Sequence, residues 1–269
     1  MDSSDPRRTV AAAVEAHGVG LRSGQPCVAR LRPAEVGRGV VINGVPLSPA
    51  RVIPGVERAT AIQTPEGPVA LVEHLLAALW LREISDVEIE IEGGEPPILD
   101  GSALGWLGRI QPAALAATQA PVALAAPVLI GDPDDGPMVA AWPAPRFSAE
   151  VSVEFPGLGP MSVETGPPGP ETTRAVAAAR TFGFSRDKAA LSAAGVIGGV
   201  SLENTVIFDD RGRPLNPEGL RWPDEPVRHK ALDLIGDLMC LGAPLQARVV
   251  ARRAGHRLHH ALVRAIAAL

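Results

Sequence analysis

The segment from Val227 to Asp237 carries a histidine and two aspartates, four residues apart, on an apolar background. If this segment is helical, His229, Asp233 and Asp237 share one face, because residues four apart are neighbours on a helix. Buried charges must be paired or bound to a metal, so an apolar helix rarely carries such a stripe without partners. His229 and Asp233 are therefore candidate ligands for one divalent cation. A solvated polar face is the alternative that this segment alone leaves open.

Histidines elsewhere in the chain offer partners for this pair. Glu73 and His74 lie together at the start of an apolar helix, where both are costly unless they find partners. His256 lies between an apolar strand and a helix start, from which it could point into a cleft. The alternatives are a solvent-facing helix end for the first pair and a surface turn for His256. His259 and His260, on the final helix, are expected to be solvated.

A catalytic zinc site needs three protein ligands and an open coordination position. Two imidazoles and one carboxylate would come from His74, His229 and Asp233. Glu73, beside a ligand, would be a natural general base for the water. Asp237 could orient His256 through a hydrogen bond, which fixes its tautomer and favours its cationic form. The set fits metal-assisted hydrolysis of an amide or ester.

The elements that must position these residues can be predicted from periodicity. The chain is apolar nearly all round from Val72 to Arg82, which indicates a helix buried against a sheet. Alternation of apolar and acidic residues from Val87 to Glu92 indicates a half-buried strand. Further helices are predicted at about 172–179, 227–241 and 258–269, and further strands at 128–153 and 246–252.

Each half of the chain thus runs from strands to helices, which predicts an α+β fold of two similar modules. Each module would be a helix layer packed on a β-sheet. We expect an N-terminal domain over residues 1–118 and a C-terminal domain over residues 119–269. No repeat is visible in the sequence itself.

Composition excludes several classes of function. The formal net charge is -5, so the basic patch expected of a nucleic-acid-binding protein is missing. No run of about 18 apolar residues exists, so no membrane span is expected. The two cysteines, Cys27 and Cys240, form no motif, which favours a reduced cytoplasmic protein.

Several motifs follow one another in order over residues 8–269. They are Gly18-Val19-Gly20-Leu21, Val72-Glu73-His74-Leu75, Pro97-Ile98-Leu99-Asp100-Gly101-Ser102-Ala103, Ala179-Arg180-Thr181-Phe182-Gly183-Phe184, Ser201-Leu202-Glu203-Asn204, Leu215-Asn216, Glu218-Gly219-Leu220-Arg221, Val227-Arg228-His229-Lys230 with Asp233 and Ile235-Gly236-Asp237, and Ala254-Gly255-His256. As an ordered set they resemble the zinc-dependent UDP-3-O-acyl-N-acetylglucosamine deacetylases of lipid A biosynthesis. The resemblance implies two domains with the active site between them.

The resemblance also implies roles for individual residues. Zinc would be bound by His74, His229 and Asp233, a set that iron(II) would also accept. Glu73 would activate the water. His256, with Asp237 behind it, would act as electrostatic stabiliser and general acid. Thr181 would help to stabilise the oxyanion.

The substrate implied is UDP-3-O-acyl-N-acetylglucosamine, deacetylated to release acetate. Lys230 corresponds to a contact with the phosphate region, and Phe155 to an aromatic residue that stacks on uracil. Phe182 is placed with them in substrate binding. The insert near 182–200 falls where the family builds an apolar passage for the acyl chain, and Leu191 and Ile197 suit that use.

Departures from the family pattern leave alternatives open. Arg22 replaces the usual histidine after Gly-Val-Gly-Leu, the Phe-x-His-Pro element is reduced to Phe155-Pro156-Gly157, and His259-His260 replace Asn-Asn. Because several departures touch recognition, one alternative is a paralogue that deacetylates another N-acetylated nucleotide sugar or glycolipid. Another is a catalytically silent metal-binding scaffold. We expect a monomer in every case.

Overall fold

The structure is a computed structural model that describes residues 5–269, within which there are six α-helices and seventeen β-strands. The strands are β1 (Asp5–Val10), β2 (Val14–Val19), β3 (Pro26–Pro33), β4 (Val40–Ile42), β5 (Val45–Pro46), β6 (Ile62–Thr64), β7 (Gly67–Val69), β8 (Val87–Glu92), β9 (Pro112–Gln119), β10 (Val122–Ala123), β11 (Val128–Gly131), β12 (Met138–Pro143), β13 (Ser148–Phe155), β14 (Gly159–Thr165), β15 (Phe182–Phe184), β16 (Val206–Phe208) and β17 (Leu245–Arg252). The helices are α1 (Glu73–Leu81), α2 (Leu104–Leu107), α3 (Pro170–Val176), α4 (Lys188–Ala193), α5 (Glu225–Leu238) and α6 (His256–Ala267).

Two sheets of the same topology carry the fold. The first has the order β2-β3-β8-β4-β5, with β8 parallel to β4 and the other neighbours antiparallel. The second has the order β11-β12-β17-β13-β14, with β17 parallel to β13 and the other neighbours on this path antiparallel. In each sheet the last strand in the chain lies between the second and the third. The α+β class with two similar modules is confirmed, although the sequence shows no repeat.

The helices occupy equivalent places in the two modules. One helix precedes the central strand, α1 before β8 and α5 before β17, and another follows it, α2 or α6. The equivalent helices α1 and α5 pack against each other, and α5 also contacts β13, β14 and α6. Eight of the nine residues of α1 are buried, as expected for a helix that is apolar nearly all round. The contact between α1 and α5 therefore joins the two modules through their cores.

Several predicted boundaries need correction. The last helix begins at His256, two residues before the predicted start, and α3 spans Pro170–Val176 rather than 172–179. The helix predicted at 227–241 begins at Glu225 and passes into a 3-10 turn after Leu238. Residue 118 lies near the end of β9, which pairs antiparallel with β1. The division into domains at that point stays a prediction.

Within residues 5–269, no helix combines the length and the apolar character needed to cross a membrane.

Candidate metal centre and active site

The contact between α1 and α5 brings the two motif-bearing helices together. Glu73 and His74 form the first turn of α1, and both are buried. Gly236 on α5 faces this turn so closely that a Cβ atom there would lie 2.1 Å from the Glu73 carbonyl oxygen. Glycine is thus the residue that allows the helix carrying His229 and Asp233 to reach the start of α1. The site lies where the two modules meet.

Three side chains converge at this contact. His74 Nε2 lies 3.0 Å from His229 Nε2 and 3.6 Å from Asp233 Oδ1, and His229 Nδ1 lies 3.5 Å from Asp233 Oδ2. All three residues are at most 4% exposed. The structure therefore brings together the three residues predicted as ligands, and it excludes a solvated face for this part of α5.

The donor set fits a divalent cation. Asp233 Oδ1 is buried and has no hydrogen-bond partner within residues 5–269, although it faces imidazole nitrogens. Burial lowers the pKa of His229 well below its usual value despite the opposing charge of Asp233, so this ring is neutral, as a ligand must be. Burial would raise the pKa of Asp233, but the Lys230 ammonium, 2.7 Å from Oδ2, helps to hold it well below its usual value. Two imidazoles and one carboxylate are the donors of a catalytic zinc site.

Glu73 lies beside these residues in a setting suited to a base. Its Oε2 accepts a hydrogen bond of 3.0 Å from the Thr60 backbone N–H, and its Oε1 lies 3.8 Å from His256 Nε2. Burial raises the pKa of Glu73, against the opposing influence of His256 and His74. A carboxylate whose pKa is raised toward neutrality accepts a proton more readily at physiological pH.

His256 is held by a buried carboxylate on α5. Its Nδ1 is 2.8 Å from Asp237 Oδ2, while its Nε2 points toward the ligand group, 3.8 Å from Asp233 Oδ2. Burial lowers the pKa of His256, but the charge and hydrogen bond of Asp237 outweigh burial, with Glu73 adding to them, and raise it to about 9. The imidazole is therefore cationic at neutral pH, with its Nε2–H directed at the site.

The prediction that His259 and His260 are solvated is wrong. They are 1% and 3% exposed, and His259 Nδ1 lies 2.8 Å from Asp237 Oδ2. His260 Nε2 lies 2.7 Å from the hydroxyl of Thr60, which also contacts Asp237. Both histidines lie on the same face of α6 as His256, so burial of one requires burial of all three.

A cavity of about 1290 Å³ opens beside the ligand group. Its lining includes the predicted oxyanion donor Thr181 and all five predicted substrate contacts, Lys230, Phe182, Phe155, Leu191 and Ile197. Lys230 Nζ donates to Asp233 Oδ2 at 2.7 Å and lies 5.6 Å from the Phe182 ring centre. Phe155 meets Phe182 edge to face, with ring centres 5.2 Å apart.

Residues that sequence reasoning missed complete the site. Thr60 binds both Glu73 and Asp237, but a threonine in a loop gives no local signal of such a role. Gly236 does give a local signal in the sequence, because a glycine inside a helical pattern lowers helix stability and indicates close packing. Arg180 is 2% exposed and pairs with Glu225 at the start of α5, so it ties the segment that carries Thr181, just before β15, to the helix that carries His229.

Comparison with known proteins connects this geometry to named relatives. The family model for LpxC, UDP-3-O-acyl N-acetylglycosamine deacetylase, matches residues 7–268. A UDP-3-O-acyl-N-acetylglucosamine deacetylase from Thermosynechococcus vestitus is 41% identical, over 97% of this chain and 94% of the relative. A relative of the same name from Synechocystis sp. is 39% identical, over 96% of this chain and 98% of the relative. One from Myxococcus xanthus is 36% identical, over 98% of this chain and 87% of the relative. The similarity therefore spans both modules.

Proposed function

The chain belongs to the UDP-3-O-acyl-N-acetylglucosamine deacetylase family, and from this premise we propose that it is a zinc-dependent hydrolase of UDP-3-O-acyl-N-acetylglucosamine. The products would be UDP-3-O-acyl-glucosamine and acetate, as in lipid A biosynthesis. The observation that carries the proposal is the convergence of His74, His229 and Asp233 beside Glu73 and His256 at one cavity. Free, buried Cys27 and Cys240 suit a reducing cytoplasm.

His74, His229 and Asp233 would hold the cation, which when bound supplies Lewis acidity toward the acetyl carbonyl and lowers the pKa of water. Zinc suits this set, and iron(II) is the second metal that the same donors accept. Lys230, 2.7 Å from Asp233 Oδ2, keeps that carboxylate anionic and therefore available as a ligand.

Glu73 would take the proton from the water as its oxygen attacks the acetyl carbon. Negative charge then develops on the carbonyl oxygen, where cationic His256 and the Thr181 hydroxyl would stabilise it. His256 Nε2–H next donates its proton to the nitrogen as the C–N bond breaks, and acetate and a free amine result. Asp237 keeps the His256 ring cationic and correctly oriented through its bond to Nδ1.

The lining of the cavity offers contacts for the other parts of the substrate. Leu191 and Ile197 are among its apolar side chains, which suit an acyl chain. Cationic side chains that could meet the diphosphate line the same cavity: Arg22, Arg58, Arg186, Lys188, Lys230 and Arg253. Apolar and cationic side chains that line one cavity suit a nucleotide sugar that carries a fatty acyl group.

One observation favours a second substrate. Arg22 stands where the family usually has histidine, and its guanidinium donates to the Glu57 carbonyl oxygen at 2.8 Å. A changed side chain at the cavity alters recognition without touching the ligands or the base. A paralogue that deacetylates another acetamido sugar would therefore use the same chemistry.

The test is acetate release from UDP-3-O-acyl-N-acetylglucosamine by the purified protein, before chelation, after chelation and after zinc is restored. We expect turnover to disappear and return. Glu73→Gln should keep its metal and lose about 10²- to 10⁴-fold in turnover, the usual contribution of a general base. Turnover that survives full metal removal would refute the zinc mechanism. A metal-loaded protein that releases no acetate would direct the assay to other acetamido sugars, and failure there would leave the scaffold function.

A further inference from the structure

A buried hydrogen-bond network surrounds the carboxylate of Asp237, behind His256. Oδ2 is 2.8 Å from Nδ1 of both His256 and His259, and Oδ1 accepts the hydroxyl of Thr60. His260 Nε2 lies 2.7 Å from that hydroxyl oxygen. None of the five residues is more than 8% exposed. Three separate segments of the chain meet at one carboxylate.

An Asp–His pair alone would need only one of these bonds. The plane of an aspartate carboxylate rotates easily, because its terminal torsion has a broad minimum. Here a donor on each oxygen, Thr60 on Oδ1 and His259 on Oδ2, fixes the plane and hence the direction of the bond to His256. The extra donors thus determine where His256 Nε2 points.

The direction of each bond follows from the available protons. The Thr60 hydroxyl has one proton, which it donates to Asp237 Oδ1, so His260 must donate its Nε2–H to the Thr60 oxygen. The Thr60 backbone N–H is already bonded to Glu73 Oε2 at 3.0 Å. Thr60 therefore contacts both Asp237, which lies behind the proposed acid His256, and Glu73, the proposed base.

We propose that Thr60, His259 and His260 are positioning residues, which fix Asp237 and through it aim His256 Nε2 at the reacting atoms. The inference rests on the proposed deacetylation. Neither histidine contacts the ligand group, so their removal should leave metal content unchanged. The substrate cavity is also untouched, so KM should be unchanged while kcat falls.

Isosteric substitutions give a sharp test. The amide nitrogen of asparagine, Nδ2, lies as many bonds from Cβ as Nδ1 of histidine and can replace it as a donor. The amide nitrogen of glutamine, Nε2, can replace Nε2 of histidine in the same way. His259 donates from Nδ1, so His259→Asn should keep the bond to Asp237 and His259→Gln should misplace it. His260 donates from Nε2, so His260→Gln should keep the bond to Thr60 and His260→Asn should lose it. We expect the mismatched variants and His259→Leu to lose about 10- to 100-fold in kcat, the scale of a misplacement of about 1 Å. The matched variants should stay within about threefold.

A role in packing alone predicts the opposite order. Leucine fills the buried volume of His259 better than asparagine does, so His259→Leu would then be the more active variant and the inference would be overturned. Equal kcat in both matched and mismatched variants would overturn it as well. Thermal unfolding and metal content, measured on every variant, distinguish a loss of folding from a misorientation of the His256 ring.

A second measurement needs no substrate and separates this inference from the proposed function. In the metal-loaded protein with labelled histidine, the Nδ1–H proton of His256 should give a resolved NMR signal, assigned by its loss in His256→Gln. We expect the signal to persist in His259→Asn and to shift or vanish in His259→Leu. An unchanged signal in His259→Leu would refute the positioning role. If the wild type releases no acetate, the proposed function fails, and the NMR result still decides the inference.

Discussion

Substitution of Gly236 by alanine tests whether the contact between α1 and α5 builds the site. The added Cβ would lie 2.1 Å from the Glu73 carbonyl oxygen, 2.8 Å from its carbonyl carbon and 3.0 Å from its Cα. Ordinary contacts of a Cβ begin near 3.4 Å. All three neighbours are backbone atoms, so no side-chain rotation relieves the clash. The two helices must therefore separate by roughly 1 Å, an overpacking that costs about 1–3 kcal/mol.

This separation moves Glu73 and His74, on α1, away from His229 and Asp233, on α5. A displacement of about 1 Å at reacting groups costs on the order of 10²-fold in rate. We expect Gly236→Ala to lose about that much in kcat, to bind zinc more weakly because one ligand has moved, and to unfold at a lower temperature. The measurements are acetate release at saturating substrate, metal content after dialysis and thermal unfolding.

Gly108→Ala is the matched control. Gly108 has a φ of -65° at the end of α2, and the nearest atom to an added Cβ is an oxygen 3.5 Å away. Alanine fits there, so activity, metal content and unfolding temperature should stay at wild-type values. If Gly236→Ala matches this control in all three, the close helix contact does not position the site and the reasoning is refuted.

Three further outcomes follow from the ion pairs and ligands. Glu225→Ala should destabilise the protein by about 3–5 kcal/mol in denaturant unfolding, because it leaves the buried Arg180 without its main partner. Glu218→Ala, which removes an exposed partner of the same arginine, should lower stability far less. Burial raises the pKa of Asp86, but hydrogen bonds from a serine hydroxyl, a backbone N–H and an arginine lower it overall. The ionised carboxylate therefore stabilises the folded protein above the reference pKa of 3.8, and this stabilisation is lost as the pH falls through the lowered pKa. Asp86→Asn should accordingly cost about 2 kcal/mol at pH 7 and progressively less below pH 3.8, and a constant difference across pH would contradict this. His229→Ala should lose zinc in metal analysis, whereas exposed His17→Ala should retain it.

The main elements of the fold could be predicted because their signals are local. The apolar helix from Glu73 and the alternating strand from Val87 follow from periodicity alone, and both appear within a residue of the prediction. The common order of the two sheets could not be read in this way. Pairing such as that of β17 with β13 joins segments about a hundred residues apart, and nothing in either segment specifies its partner.

The candidate site divides in the same way. His229, Asp233 and Asp237 were identifiable because four-residue spacing places them on one helical face, and the structure puts that face against α1. Their assigned roles stay predictions until the variants are measured. Thr60 was not identifiable, since its importance comes from two contacts made by a loop whose path depends on the packing of both modules.

His259 and His260 show how a correct rule can be applied to one helix and overlooked on another. Together with His256 they stand at positions i, i+3 and i+4, so they share a face as surely as the stripe on α5 does. The same face of α6 continues with the buried residues Leu262, Val263 and Ile266. Periodicity therefore predicts that both histidines are buried, whereas their polarity suggests exposure to solvent. Polarity was the weaker guide, because a polar residue can be buried wherever a partner meets it. Here Asp237 on α5 is that partner, since its carboxylate lies 2.8 Å from Nδ1 of both His256 and His259 on α6. Burial of the histidine face of α6 therefore follows from the aspartate that α5 presents to it.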